Sequence, residues 1–583
     1  MNSLLGILGN ICRHVPTSVE ALPRYLMRPI HKACFCLLGC GIVTAIISPA
    51  SADIIFSGDT NEHSDSGPII GVTGAGRLEI TSGSVLSSGP DGFLGGQNLW
   101  DSEAKGAAVI TGAGSRWTID ESLHVGYAGD GSLSIEGGGE VANKWGYIGH
   151  YGNSTATAVV TDSDSIWTNT EGLGVLGTLS IENGGKVISG GGSVGSSGLG
   201  RGAVTVSGEG SEWTSNTVYL NHGDLRIEDG GKVTSTIGEL GWAQSVTDIV
   251  TVTGNGSKWI SDNLSVGKEG WGTLNIEDGG YIKTENSTVG YDENGYSLYD
   301  QSGGIVSVIG PGSKWDNSGD LLIGNDAADA GTGAVNVENG GEINIVGQTL
   351  ISTTGTLNIG AGGTFSTESV TITNGSIVRN DGILEGKIIF ERGGKLHGNG
   401  RVEQVNVEDG GLFFGTCSFE SLTVGDGGIL SPGNSPGTMS GVDAIFEGGG
   451  TFLFEVSDAL GMAGTGWDLL NLAGRLSITA TTLNPFIVDI RSIALSNFND
   501  QLSYRWTFLH AAGGIDGFNS DNIELLTANF VATNSGRFSI QQDGNDLFVS
   551  FQPAAVPEPS SWALMCIAFS AIGATAGRRH WKK

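Results

Sequence analysis

Cysteine is nearly absent from the part of this chain that has to fold. Of six cysteines in 583 residues, Cys12, Cys34, Cys36 and Cys40 precede residue 53 and Cys566 lies near the C-terminus, which leaves only Cys417 between. One thiol builds neither a disulfide framework nor a cysteine metal site, so the central part depends on packing and hydrogen bonding. Basic residues are also scarce: 29 Lys and Arg stand against 61 Asp and Glu, a formal charge of −32. Setting aside residues 1–52 and 557–583 leaves 21 basic and 59 acidic residues, a formal charge of −38. Such a surface excludes nucleic acid as a partner and repels anionic lipid. Divalent cations can screen it, and its plainest role is solubility.

Glycine is what the chain has in excess. With 99 glycines and 15% charged residues the composition suits a flexible linker, but the glycines are periodic and separated by aliphatic residues at period two, which predicts strands and turns. The clearest unit is a strand closing on glycine: Leu133-Ser134-Ile135-Glu136-Gly137-Gly138, with copies starting at Leu179, Leu225, Leu274 and Val335. Its two aliphatic side chains share one face, because side chains alternate along a strand. Asn-Gly and Asp-Gly pairs then supply the positive φ of a tight reversal. A second unit is Gly-Ser-x-Trp, ending at Trp117, Trp213, Trp259 and Trp315, with Asp164-Ser165-Ile166-Trp167 as a degenerate copy. The residue before each Trp changes charge while the Trp stays, so the indoles are expected in the core. A third unit is Leu123-His124-Val125-Gly126, with copies at Leu264-Ser265-Val266-Gly267 and Leu322-Ile323-Gly324.

Repeats of this length suit a solenoid or a propeller. The unit shortens toward the C-terminus, where Gly394, Gly411 and Gly428 recur every 17 residues, and a stack tolerates that change where a closed ring does not. The expected fold is therefore all-β: a right-handed parallel β-helix with a β-rich C-terminal cap and terminal targeting helices. Each long repeat contributes two coils about 4.8 Å apart, with Ile135, Ile181, Ile227 and Ile276 in an internal column and length variation absorbed near Tyr151 and Tyr291. Leu430-Ser431-Pro432-Gly433-Asn434-Ser435-Pro436-Gly437-Thr438 predicts a corner, because two prolines lack ladder donors. The expected division is 53–104 as an N-terminal capping coil, 105–345 as repeat β-helix, 346–440 as degenerate coils and 441–553 as a β-rich section covering the last coil.

The two ends read as addresses. Residues 1–52 predict an export signal: Arg24, Arg28, His31 and Lys32 precede an apolar run from Ala33 to Ile47, and Ala50 and Ala52 offer a small-residue cleavage site before Asp53. Met27 is an alternative start that gives a signal of ordinary length. At the other end Val556-Pro557-Glu558-Pro559 is followed by an apolar run from Trp562 to Gly577 and by Arg578, Arg579, Lys582 and Lys583. That run makes a helix of roughly 24 Å, a thin anchor against a hydrocarbon core of roughly 30 Å, with its basic end held in the cytoplasm. An ordinary tail anchor is the simpler alternative for 556–583.

The order V-P-E-P-S, apolar span, Arg-rich end resembles the PEP-CTERM sorting signal. The resemblance implies recognition and processing by an exosortase after passage through the general secretion machinery. Residues 105–345 are similar to the repeat of PEP-CTERM and autotransporter proteins, x-V-x-V-x-G-x-G-S-x-W, L-x-V-G and L-x-I-x-x-G-G-x-V. The Pro-Gly segment at 430–438 is similar to one that punctuates autotransporter-like passengers, though after Pro553 only the sorting tail follows, with no room for a membrane barrel. These resemblances imply transient anchoring in the inner membrane of a Gram-negative bacterium. They also imply a final place at the cell surface or in a biofilm matrix, with exopolysaccharide or a neighbouring cell as partner.

Catalysis is the competing reading, since parallel β-helices also carry polysaccharide lyases and hydrolases. Such sites need paired carboxylates, or calcium beside a basic residue. Here His63, His124, His150, His222, His397 and His510 are scattered, and no such pairing accompanies Arg379-Asn380-Asp381. Glu136, Glu182, Glu228, Glu277 and Glu338 recur once per repeat, which speaks for turn chemistry or an acidic ladder. No catalytic, cofactor or metal residue is assigned, and cation binding is expected to be weak calcium at most. The expected function is a non-enzymatic adhesive shaft whose repeated weak contacts add up through avidity.

Overall fold

The computed structural model describes residues 53–554, apart from 65–66, 99, 151–154, 244–245, 292–301, 327–330, 374 and 532–535. The export signal with Ala50 and Ala52, and the sorting tail with Val556 to Pro559 and Arg578 to Lys583, lie outside these residues. So does the targeting-helix expectation. Among the described residues no helix is long and apolar enough to cross a membrane. The insertion at Tyr151, and the one just after Tyr291, also fall outside them.

The described chain is a parallel β-helix. One ladder is built from Ala75–Thr81, Lys105–Thr111, Asp130–Glu136, Ala156–Thr161 and Thr178–Glu182 and continues coil upon coil. In the second, the short strands Arg116–Ile119 and Ser122–Val125 both lie against the longer Glu140–Ile148. One coil thus faces two strands of the next, and the ladder is a bent sheet around the core.

The internal aliphatic column exists, and register explains its composition. Ile110, Ile135, Val160, Ile181, Val206, Ile227, Val252 and Ile276 are successive neighbours, all fully buried. From Ile135 onward isoleucine and valine alternate because each repeat spans two coils, which hides the column from a reading that compares only like segments. Toward the C-terminus the coil shortens to 17 residues, with Lys395 beside Leu412 and Leu412 beside Ile429.

Three expectations need correction. The inward leucine of the third unit in its last copy is Leu321, while Leu322 points outward beside Thr288. Residues after 441 do not begin a separate covering section. Thr451–Asp458, Phe486–Ser496 and Ile523–Leu526 continue the parallel ladder, because backbone pairing is indifferent to the change to aromatic side chains. What closes the stack is shorter: Tyr504–Ala511 and Arg537–Asp543 run antiparallel on either side of Asp546–Gln552. The recurrent glutamates form no continuous acidic ladder either. Glu182 sits between Thr161 and Ser207, and Glu277 between Thr253 and Ile309. Like charges are thus about 9.6 Å apart, beyond the roughly 8 Å screening length of physiological salt.

The other end is closed in the same manner. Asp53–Gly58 lies antiparallel on Ala75–Thr81, and Thr60–Ser64 antiparallel on Gly67–Ile70. An uncovered first coil would present a row of unpaired donors and acceptors to other chains.

Candidate ligand-binding face

The repeat residues assemble an internal module that sets the surface above it. Trp117, Trp167, Trp213, Trp259 and Trp315 are all fully buried. Each indole Nε1 donates to a polar side chain of the preceding coil: Ser88 Oγ at 3.1 Å, Asn143 Oδ1 at 2.8 Å, Ser189 Oγ at 3.1 Å, Ser235 Oγ at 3.1 Å and Thr284 Oγ1 at 2.9 Å. A buried indole N–H left without an acceptor is costly. The rings occupy space that the preceding coil leaves open: a Cβ on Gly238 would lie 2.5 Å from Trp259 Cζ2, and one on Gly92 3.0 Å from Trp117 Cζ2. The serine of each Gly-Ser-x-Trp has its own task. Ser211 Oγ accepts the Gly184 N–H at 3.0 Å and donates to the Ser207 carbonyl at 2.7 Å, and Ser165, Ser257 and Ser313 accept equivalent bonds. In the degenerate copy Asp162 and Asp164 take the positive φ, 74° and 71°, that glycines hold elsewhere. Aspartate tolerates this region better than most residues.

Sequence reasoning missed the outer face. Outward positions of the strands after each Trp lie in register across coils: Phe93, His124, Tyr147, Gly174, Ser193, Tyr219 and Glu239. Three of these side chains form a continuous stack. The Phe93 and His124 rings are 4.9 Å apart and tilted 4°, and His124 and Tyr147 are 4.9 Å apart and tilted 11°. The separation equals the coil spacing, so the fold itself dictates the stacking distance. Burial between the two rings, then the neighbouring His150, push His124 down to about 4, and it is neutral at physiological pH.

Beyond Tyr147 the column falls to Gly174 and Ser193 and rises again at Tyr219. The neighbouring outward column runs from Asp91 and Ser122 to Trp145, 42% exposed, whose six-membered ring lies over Gly172. At the far side Trp242, also 42% exposed, packs 6.0 Å from Tyr219 and donates to Glu239 Oε2 at 2.6 Å. Glu239 is itself paired with Lys268 at 2.7 Å. The result is a trough of about 360 Å³, with a floor of Gly172, Gly174, Gly191 and Gly192 and aromatic ends.

Other features offer less. A trough of about 540 Å³ near the first coils has a floor of Gly76, Gly106 and Ala107 and no aromatic ring, and its charges pair with acidic neighbours, Arg77 with Glu79 and Lys105 with Asp130. Asp468 is fully buried and pushed up to about 8 by burial, against two backbone N–H donors, Gly437 at 2.8 Å and Glu455 at 2.9 Å. It staples the turn after Pro436 to the next strand. Cys417 is fully buried, and burial pushes its thiol up to about 12. Among the described residues no three His, Cys, Asp or Glu side chains gather as metal ligands.

No family model matches the chain. Over 140 residues it is 31% identical to the adhesin BmaC autotransporter of Brucella suis biovar 1 (strain 1330). That stretch is 23% of this chain and 4% of the relative, so the chain spans only a small fraction of it. Among solved structures, a hyper-glycosylated TibA fragment superposes with a TM-score of 0.31 at 16% identity, covering 66% of this chain and 99% of the fragment.

Proposed function

We propose that this protein is an exported, non-enzymatic adhesive shaft that acts at the cell surface or in the extracellular matrix. The observation that carries this reading is the 140-residue similarity to an autotransporter adhesin, on a chain whose described part is one continuous stack of coils. A stack presents the same outward positions every 4.8 Å or so, which suits many weak contacts acting together. Buried tryptophans and a staple carboxylate account for the conspicuous chemistry without a reaction.

The ends complete the proposal. Residues 1–52 direct export through the general secretion machinery, with cleavage before Asp53. Val556 to Pro559 present a sorting motif to an exosortase while the apolar run and Arg578, Arg579, Lys582 and Lys583 hold the chain briefly in the inner membrane. Exopolysaccharide or a neighbouring cell is the final partner. The mass of the protein recovered from culture tests the processing: the expected form begins at Asp53 and lacks Lys583, and an intact Lys583 on a secreted form refutes it. Retention on matrix or cells tests the adhesion. Deleting two central repeats is expected to weaken retention gradually, and an all-or-none loss counts against avidity.

A further inference from the structure

From the outer face we infer that the trough between Tyr147 and Tyr219 is a binding site for an uncharged glycan, whose pyranose rings slot between the two tyrosines. The stack Phe93, His124, Tyr147 covers one face of the Tyr147 ring and leaves the other toward Gly174. At Gly174 a Cβ would already lie 3.5 Å from Tyr147 Cδ1, so a ring placed there continues the stack at van der Waals distance. Tyr147 and Tyr219 are separated by three coil steps, through Gly174 and Ser193, or about 14 Å. That gap leaves room for a sugar ring against the open face of a tyrosine. None of the described residues fills it, because the intervening outward positions, Gly174 and Ser193, carry only a hydrogen and a hydroxymethyl group.

The class of ligand follows from what surrounds the slot. Aromatic faces attract the apolar face of a ring, while Ser193, Thr217 and the Glu171 carboxylate at its edge offer hydrogen-bond partners to hydroxyl groups. The Trp145 and Trp242 side chains are half-exposed at the two ends, where amphipathic rings meet a wet ligand. Charge discriminates: Glu171 lines the slot, the described cations at its two ends are each paired with a carboxylate, Lys144 with Glu121 and Lys268 with Glu239, and the chain as a whole carries −32. A polyanion, whether a uronate polymer or nucleic acid, is repelled. This inference deepens the adhesive reading and rests on it only for placing the face outside the cell.

The test is a tryptophan-fluorescence titration of the mature secreted protein with hexamers of glucose, mannose and N-acetylglucosamine, with a uronate hexamer alongside. At least one neutral hexamer is expected to bind, and Ser193→Tyr, which fills the slot from an outward position, is expected to weaken it by about tenfold or more. Should Ser193→Tyr misfold, Tyr147→Ala removes the stacking face instead and is held to the same expectation. The inference is overturned if no neutral hexamer binds, if the variants leave affinity unchanged, or if the uronate hexamer binds as well as a neutral one. Sedimentation of both forms is the control for a second copy as occupant: a wild-type oligomer dissolved by Ser193→Tyr makes the trough a self-interface and also overturns it. Retention on matrix is read in parallel. Equal retention of wild type and Ser193→Tyr sinks the slot and leaves the adhesive reading standing, whereas no retention of wild type sinks that reading while the titration still decides the slot.

Discussion

Trp117, Trp213 and Trp259 are each seated against a glycine one coil earlier, Gly92, Gly192 and Gly238, and Gly238 with Trp259 is the pair on which to test how tightly that packing binds the sequence. An alanine at 238 places its methyl 2.5 Å from Trp259 Cζ2, 3.0 Å from Cη2 and 3.1 Å from Leu264 Cδ1. The indole cannot retreat freely, because its Nε1 is tied to Ser235 and the ring is fully buried. Overpacking of this kind costs about 1–3 kcal/mol. Trp259→Val reproduces the aliphatic type found at Val233 and Ile282, its neighbours in register, and loses most of an indole, a cost of about 3–4 kcal/mol. Ser235 keeps a partner in that variant, since it bonds Ser261 at 2.9 Å. In the double variant the new methyl enters space the indole has vacated, so the two costs do not add. The expected coupling is about 1–2 kcal/mol in favour of the double variant. A stack of coils opens locally and not in one transition, so the readout is hydrogen exchange in peptides covering 232–240 and 258–266 of the full chain. Additivity within about 0.5 kcal/mol, or an unperturbed Gly238→Ala, refutes the reasoning.

Ser211→Ala removes both the acceptor of the Gly184 N–H and the donor to the Ser207 carbonyl; local opening in that coil is expected to ease by about 1–2 kcal/mol, read by exchange at 184–189. His124 binds its proton less readily when folded, at about 4 against 6.5 when free. Its stabilisation is therefore complete above pH 6.5, is lost as pH falls through the window from 6.5 to 4, and changes no further below it. The loss is about 2–3 kcal/mol, and hydrogen exchange in peptides covering 122–126 at pH 7 and pH 4, each set against the intrinsic rate at that pH, should show that His124→Phe, which preserves the stack, removes that part of the pH dependence. Calcium at millimolar concentration is expected to shift unfolding no more than a monovalent salt of equal ionic strength, because hydroxyl and aliphatic side chains lie between the recurrent glutamates; a saturable calcium-specific shift by calorimetry contradicts this.

Period and punctuation alone determined the strands, the glycine turns, the parallel stack of two coils per repeat and the burial of Trp117 to Trp315, since alternation and recurrence are local properties of a sequence. Register between coils was not local. That Gly238 faces Trp259, that Ser235 receives its N–H, and that valines interleave the isoleucine column depend on which residues the coil length brings side by side, and each partner sits in a strand that reads as ordinary by itself. The same holds for the surface. Phe93, His124 and Tyr147 look like scattered aromatics along the chain and become one stack only because outward positions align at the coil spacing. The slot beside them is made by Gly174 and Ser193, and a gap among side chains leaves no mark in a sequence until the neighbours that bound it are in place.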